Sequence, residues 1–294
     1  MIRVGIAGWS YPDWEGIVYP ARKTARFDRL SYLAAYFDAI EINSTFYRIP
    51  EPRIAGSWVR RVGGRPDFRF TVKLFQGFTH RRTELQAEDE SSFKRALEPL
   101  AEADLLGAIL IQFPYSFHPV ASNRAWLESL LEKFRDYPRV VELRHSEWAR
   151  EEFFDSLRGR EAGFCNIDQP ALSRSLGPTE VVTSKVGYVR LHGRNAKDWF
   201  RKEAPPAARY DYLYPEEELA PWVERIRRIV EQTTDIFIIA NNHYQGKGPV
   251  AALTLLSMLL GRPVASPADL PAAYPQIAPR VISSAPAQGR LFQD

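Results

Sequence analysis

Glu142 and Arg144 stand two residues apart at the end of a short apolar run, and this pair is the clearest candidate for chemistry in the chain. Val140 and Val141 begin the run as a buried β-strand would. Side chains two positions apart on a strand point to the same face. Because charges on a buried strand are costly unless they are paired or used, we take Glu142 as the leading general acid or base, held by Arg144.

Polar residues also stand at or just after the ends of the other apolar runs. They bring carboxylates, cations, amides and imidazoles to equivalent positions: Glu41, Asn43, Lys73, His80, Asp168, Arg190, His192, Asn241, Asn242 and His243. Clusters of acids and bases with shifted pKa values are typical of active sites. The alternative is a structural ion-pair network, since the two acids of this set together with Glu142 equal in number its two cations together with Arg144.

The residue types indicate roles in an active site. The predicted catalytic residues are Glu142, Glu41, His192 and Asp168, with His192 or His80 as a proton shuttle. Arginine and lysine grip phosphate or carboxylate oxygens, so we expect the cationic residues to neutralise an anion. The predicted ligand-binding residues are Lys73, Arg144, Arg190, Asn43, Trp9, Tyr47, His80, Asn241, Asn242 and Trp199.

A metal site is the main alternative use of these residues. Glu142, Asp168, His192 and His243 include ligand types that zinc or a hard divalent cation accepts. Lys73, Arg144 and Arg190 would crowd such an ion unless an anionic ligand lay between them. We therefore predict no metal ligand and no cofactor, and keep a divalent metal as the alternative.

The connection from Gly193 to Tyr214 is long and rich in aromatic residues. Structureless loops of this length often act as lids. Trp199 or Tyr210 would then cover a ligand ring when the loop closes. The alternative is that these aromatic residues pack permanently on the rim of the fold.

Short apolar runs alternate with segments of helical period along the whole chain, which favours parallel β/α units. The predicted strands span 3–8, 39–43, 68–73, 107–112, 139–143, 164–168, 186–192 and 236–241. The predicted helices span 27–38, 53–63, 88–106, 122–136, 150–161, 217–233 and 249–260, with the weakest helix signal near 169–177. Eight such repeats predict a closed parallel (β/α)8 TIM-type barrel of the α/β class. A doubly wound sheet is disfavoured because no glycine-rich dinucleotide loop follows the first strand.

Several motifs together resemble the DUF72 (YecE-like) family. They are Gly8-Trp9-Ser10-Tyr11 with Trp14, Glu41-x-Asn43-x-x-Phe46-Tyr47, Gln112-Phe113-Pro114, Val141-Glu142-Leu143-Arg144-His145 and Arg190-Leu191-His192-Gly193. The resemblance covers most of the chain and implies a TIM-type barrel. It implies no established activity, so the function must be argued from the residues.

Composition is that of an ordinary soluble globular protein, with 294 residues, 45% hydrophobic and 26% charged. We predict one barrel domain over 1–261 and a proline- and alanine-rich tail over 262–294 that is either disordered or laid over the barrel. The single cysteine, Cys165, excludes an internal disulfide and is expected to be a buried thiol. The start of the sequence has no charged-then-apolar leader, and the apolar segment at 250–260 is too short to span a bilayer. These features predict a cytoplasmic protein with no membrane partner.

The leading hypothesis is an enzyme, a hydrolase or an isomerase, that acts on an anionic ring-containing small molecule such as a phosphorylated sugar or a nucleotide fragment. One alternative is a metal-dependent phosphodiesterase or endonuclease acting on nucleic acid, which rests on analogy of fold. The other is a non-catalytic barrel that binds nucleic acid or a nucleotide, with an affinity that falls steeply as salt rises. The net charge of +3 permits an anionic partner and does not require one.

Overall fold

Eight parallel strands close into a barrel in the computed structural model, which describes residues 1–199, 201, 203, 205 and 207–284. Each strand pairs with the next along the chain, and the first pairs with the eighth. The strands are β1 Ile2–Ala7, β2 Ala39–Ile42, β3 Arg69–Lys73, β4 Leu106–Gln112, β5 Arg139–Glu142, β6 Gly163–Asp168, β7 Val186–Leu191 and β8 Asp235–Ala240. Both ends of every strand lie within one residue of the predicted bounds. The closed (β/α)8 barrel is therefore confirmed.

Helices cover the outside of the barrel. They are α1 Arg29–Ala34, α2 Ser44–Tyr47, α3 Pro52–Val62, α4 Gln76–Thr79, α5 Asp89–Glu102, α6 Ala121–Lys133, α7 Glu151–Arg158, α8 Glu216–Val230 and α9 Lys247–Leu260. The seven predicted helices are present, although several are shorter than expected. The short helices α2 and α4 were not predicted, because one turn is too short for a periodic pattern. Residues 169–185, all described, contain no helix, so the weak signal there did not mark one.

The strands bury nearly all of their side chains because one face points to the barrel interior and the other to the helices. Close strand contact needs a glycine at one position on β1. A Cβ atom on Gly5 would lie 1.9 Å from the carbonyl oxygen of Ala39 on β2. Cys165 on β6 is a buried free thiol, as predicted.

The segment after α9 lies against the barrel. Its strands β9 Val264–Ser266 and β10 Val281–Ser283 pair in parallel, and the helix α10 Leu270–Ala273 lies between them. Ile277 is buried, and the Arg280 guanidinium donates two hydrogen bonds to the Glu216 carboxylate on α8 at 2.9 and 2.5 Å. Of the two alternatives, residues 262–284 therefore adopt the packed one; residues 285–294 lie outside the described residues. Among the described residues, no helix is long and apolar enough to cross a membrane.

Candidate functional site

Arg190 on β7 joins two carboxylates inside the barrel. Its guanidinium donates to Glu41 on β2 through Nε at 2.9 Å and Nη2 at 2.5 Å, and to Glu142 on β5 through Nη1 at 2.5 Å. All three side chains are buried. Tyr188 lies two residues before Arg190 on β7, and its hydroxyl donates a hydrogen bond to Glu41 at 2.9 Å. Inward-facing positions on three strands therefore build one buried network, as the two-residue spacing predicts.

Glu142 is held by further cationic and imidazole groups. Arg144 Nε donates to its Oε1 at 3.0 Å, and His192 Nε2 lies 3.2 Å from the same oxygen without the alignment of a hydrogen bond. Burial raises the pKa of Glu142, but Arg190, His192 and Arg144 outweigh it and hold the pKa well below its usual value. Burial lowers the pKa of His192 to about 4, so this imidazole is neutral at physiological pH. Glu142 is therefore a permanent carboxylate.

Lys73 at the end of β3 differs from the other two cations. Its Nζ lies 3.9 Å from the centre of the Phe46 ring, and no carboxylate oxygen of the described residues comes within 4.0 Å of it. Burial, with Arg190 as the next cause, lowers the pKa of Lys73 to about 7. This amine therefore exchanges its proton near neutral pH.

A pocket of about 330 Å³ opens above these cations at the carboxyl ends of the strands. We call it the mouth pocket, and the residues that line it are Tyr11, Asn43, Phe46, Tyr47, Lys73, Arg144, Arg190, Ala207, Tyr210, Asn241 and His243. Glu41 and Glu142 lie beneath the cations and do not line it. The volume is at the lower end of the range for small-molecule sites.

Aromatic side chains make up part of the lining of the mouth pocket, which we call the aromatic wall. Tyr11 stacks on His243 with 4.4 Å between ring centres, and Tyr210 lies 4.8 Å from the same imidazole. Tyr47 is 70% exposed, which is unusual for a large aromatic side chain. Asn43 Oδ1 and His243 Nδ1 are buried with no hydrogen-bond partner among the described residues. Buried polar atoms without partners are uncommon and invite a ligand or water.

Asp168 at the end of β6 does not join this cluster. Its carboxylate accepts hydrogen bonds from Arg194 Nε at 2.9 Å, Tyr214 Oη at 2.7 Å and Trp222 Nε1 at 2.7 Å. Trp222 lies on α8, so Asp168 points out of the barrel towards the helices. The side chain is fully occupied in holding the two ends of the 193–214 loop, because Arg194 is the second residue of this loop and Tyr214 is its last.

The loop already forms part of the wall. Ala207 and Tyr210 line the mouth pocket, while Trp199 is buried against Arg144, with 5.6 Å from the guanidinium carbon to the ring centre. Phe200, Lys202, Ala204 and Pro206 lie outside the described residues. Trp199 therefore packs on the rim of the barrel. Closure of the loop on ligand binding stays a prediction.

The remaining predicted ligand contacts divide into two groups. Asn43, Tyr47 and Asn241 line the mouth pocket, and Asn241 Nδ2 lies 3.0 Å from His192 Nδ1. The others do not line it: Trp9 packs edge-on against Trp58, His80 lies 4.8 Å from the Phe46 ring, and Asn242 Nδ2 donates to the Tyr212 carbonyl.

The four candidate metal ligands of the strand ends do not converge. Asp168 faces the helices, His243 lies in the aromatic wall, and only Glu142 and His192 are neighbours. Among the described residues, the one group of three or more ligand side chains close enough to share an ion is His118, His145 and Glu147, away from this set.

Sequence reasoning did not assign Tyr11 or Phe46 to the site, and it considered Tyr210 only as part of a closing loop and His243 only as a possible metal ligand. All four line the mouth pocket. Sequence reasoning also missed Tyr188, which supports Glu41. The available signal for Tyr188 was its position two residues before Arg190, because that spacing places both on one face of the strand. Nothing in the sequence fixes which loop aromatic residues turn inward.

Comparison with known proteins agrees with the barrel fold. The family model described as "Protein of unknown function DUF72" matches residues 3–274. The chain belongs to the DUF72 family. The UPF0759 protein YunF of Bacillus subtilis is 28% identical over 274 residues, covering 88% of this chain and 95% of YunF. The UPF0759 protein YecE of Escherichia coli is 29% identical over 151 residues, which is 50% of each chain.

Solved structures of family members have the same architecture. A DUF72 family protein from Thermotoga maritima is 36% identical and superposes with a TM-score of 0.79, covering 88% of this chain and 99% of its own. One from Enterococcus faecalis is 25% identical with a TM-score of 0.77, covering 88% and 96%. These relatives support the TIM-barrel fold and do not specify an activity.

Proposed function

We propose that this barrel is an enzyme acting on an anionic, ring-containing small molecule, such as a phosphorylated sugar or a nucleotide fragment, bound in the mouth pocket. The observation that carries the proposal is the charge balance at the pocket floor. Three cations, Lys73, Arg144 and Arg190, face two carboxylates, Glu41 and Glu142. One positive charge is left over when Lys73 is protonated.

Arg144 has the free donors that an anion needs. Its Nε is bound to Glu142, while Nη1 and Nη2 make no hydrogen bond to any described residue. The Trp199 ring and Glu142 hold the guanidinium in place. A guanidinium fixed in this way grips phosphate or carboxylate oxygens in pairs. In contrast, every nitrogen of Arg190 already donates to a carboxylate.

Lys73 is the group best placed to move a proton. It lines the mouth pocket, and its pKa of about 7 lies near the operating pH, where acid–base catalysis is most efficient. Glu142 does not reach the pocket and stays ionised, so we assign it to positioning Arg144 and Arg190. Glu41 takes the same positioning role from the other side of Arg190.

The aromatic wall accounts for the ring in the proposed ligand. Tyr47 and Tyr210 line the pocket and Tyr47 is largely exposed, while Asn43 and His243 offer polar atoms without a hydrogen-bond partner among the described residues. Flat or puckered rings stack on such aromatic surfaces while polar atoms fix their orientation.

Product analysis tests the proposal. The chain is incubated with a set of sugar phosphates and nucleoside monophosphates, and each mixture is separated and identified by mass spectrometry. We expect the wild type to convert at least one compound, and Lys73→Met to convert it at least about 100-fold more slowly, which is the lower end of the contribution of an acid–base group. Lys185→Met replaces an exposed lysine outside the pocket and should retain full activity. Equal activity in Lys73→Met would refute the catalytic role of this lysine.

A further inference from the structure

Three potential metal ligands meet beyond the end of β5, outside the mouth pocket. They are His118 in the loop before α6, and His145 and Glu147 in the turn after β5. Their candidate ligand atoms all lie within 4.8 Å of one another. His145 is buried, while His118 and Glu147 are partly exposed, so an ion can reach the group from solvent.

The distances match those between the ligands of a zinc ion. Glu147 Oε2 lies 3.4 Å from His118 Nδ1 and 3.6 Å from His145 Nδ1. A tetrahedral ion with bonds of about 2.0–2.1 Å separates its ligands by about 3.3–3.4 Å. Two of the distances between ligand atoms are therefore close to those of a tetrahedral zinc site, and both involve the same oxygen, Glu147 Oε2.

Neighbouring groups set the protonation of His145 and the orientation of the Glu147 carboxylate. His145 Nδ1 accepts a hydrogen bond from the Glu147 amide at 3.3 Å, so this nitrogen carries no proton, and zinc binding would replace this long hydrogen bond. Arg174 Nη1 lies 3.1 Å from Glu147 Oε1, so it orients the carboxylate through the oxygen that faces away from the histidines. Such outer partners commonly fix the orientation of ligand side chains.

We propose that His118, His145 and Glu147 bind one Zn²⁺ ion. Two imidazoles and one carboxylate form an open ligand set, in which water takes the fourth position. The ion would connect the loop after β4 to the turn after β5. Its binding does not depend on the function proposed for the mouth pocket, because none of its ligands lines that pocket.

Zinc titration of the chelator-treated full-length chain tests this site. We expect binding of one equivalent of Zn²⁺ in calorimetry, and a Co²⁺ complex with the strong visible absorption of tetrahedral coordination. His118→Asn and Glu147→Gln change partly exposed side chains, so both should fold. Each should weaken zinc binding by more than about 100-fold, because changes to outer partners alone cost 10–100-fold.

His80→Asn is the matched control, since it removes another exposed histidine away from the cluster, and it should bind zinc as the wild type does. No saturable binding by the folded wild type would overturn the proposal. Saturable binding of unchanged affinity in both His118→Asn and Glu147→Gln would also overturn it, because the ion would then lie elsewhere.

Discussion

Glu142 looks catalytic in the sequence, but in the proposed function it acts by holding other residues. Its carboxylate is buried under Arg144 and Arg190 and lies outside the pocket lining. Lys73 was expected only to neutralise an anion, yet it combines a place in the pocket with a pKa near neutrality. The sequence shows which residue types arrive at the strand ends. It does not show which of them find partners, because pairing depends on distances across the barrel.

Replacement of Glu142 should lower stability strongly. Glu142→Gln leaves Arg190 with one carboxylate instead of two and removes the carboxylate partner of Arg144. Breaking a buried ion pair by removing one partner costs about 3–5 kcal/mol. Urea unfolding should show this loss of unfolding free energy, whereas exposed Glu102→Gln should change it by less than about 0.5 kcal/mol. Equal stability of the two variants would contradict the positioning role of Glu142.

The pKa of Lys73 predicts a pH-dependent effect of its replacement. The pKa falls from 10.5 in the unfolded chain to about 7 in the folded protein, mainly through burial. The unfolded state therefore binds this proton more tightly, and the wild type loses stability as pH falls from about 10.5 to about 7. Below about pH 7 Lys73 is protonated in both the folded and the unfolded state, so the loss of stability no longer changes with pH.

Lys73→Met removes this titration. Its unfolding free energy minus that of the wild type should be largest at and below about pH 7, and this difference should shrink as pH rises towards 10. Urea unfolding at several pH values measures the difference, in which the titration of other groups cancels. Lys185→Met should show no such trend; a constant excess for Lys73→Met would mean that its folded pKa is unshifted.

At the level of secondary structure, the alternation of side chains along β6 decides whether Asp168 points into or out of the barrel. Inward and outward positions alternate on β6, so Asp168 shares its outward face with Asn166, whose amide bonds to the Val181 carbonyl. The sequence placed Asp168 at the correct strand end. It did not reveal the outward direction, because both faces of β6 are buried and the sequence pattern does not mark which of them is inward.

The bonds of Asp168 predict a role in holding the 193–214 loop. Asp168→Asn replaces one carboxylate oxygen, which accepts hydrogen bonds, with an NH2 group, which donates them. This weakens the bidentate contact with Arg194 and places the NH2 group against other donors. We expect faster tryptic cleavage at Lys197 and Arg201 in this variant than in the wild type. Exposed Asp136→Asn should be cleaved at the wild-type rate. Unchanged cleavage in Asp168→Asn would mean that other contacts fix the loop.

The whole molecule includes more than the eight predicted repeats. The barrel was predictable because each repeat has its own apolar run, and seven of the eight also have a helical segment. The segment at 262–284 was not, since its strands have three residues each and its position depends on contacts with α8 and α9. The closed barrel also explains why distant polar residues meet, which no single repeat could show.

The packed C-terminal segment predicts a stability difference between two isoleucines. Ile277 is 1% exposed and Ile282 is 62% exposed. Ile277→Ala should lower the free energy of unfolding by about 2–5 kcal/mol through lost burial and a cavity. Ile282→Ala should change it by less than about 0.5 kcal/mol. If both changes are small, the segment does not unfold together with the barrel.

Ligand-induced thermal stabilisation tests the central claim, that the mouth pocket selects anionic ring compounds, most directly. Adenosine with AMP, ribose with ribose 5-phosphate, and glucose with glucose 6-phosphate form matched pairs that differ by one phosphate. We predict that the phosphorylated member of at least one pair raises the Tm of the wild type, that its neutral partner does not, and that Arg144→Met loses the shift. No shift from any phosphorylated compound, or equal shifts within every pair that responds, would contradict the account.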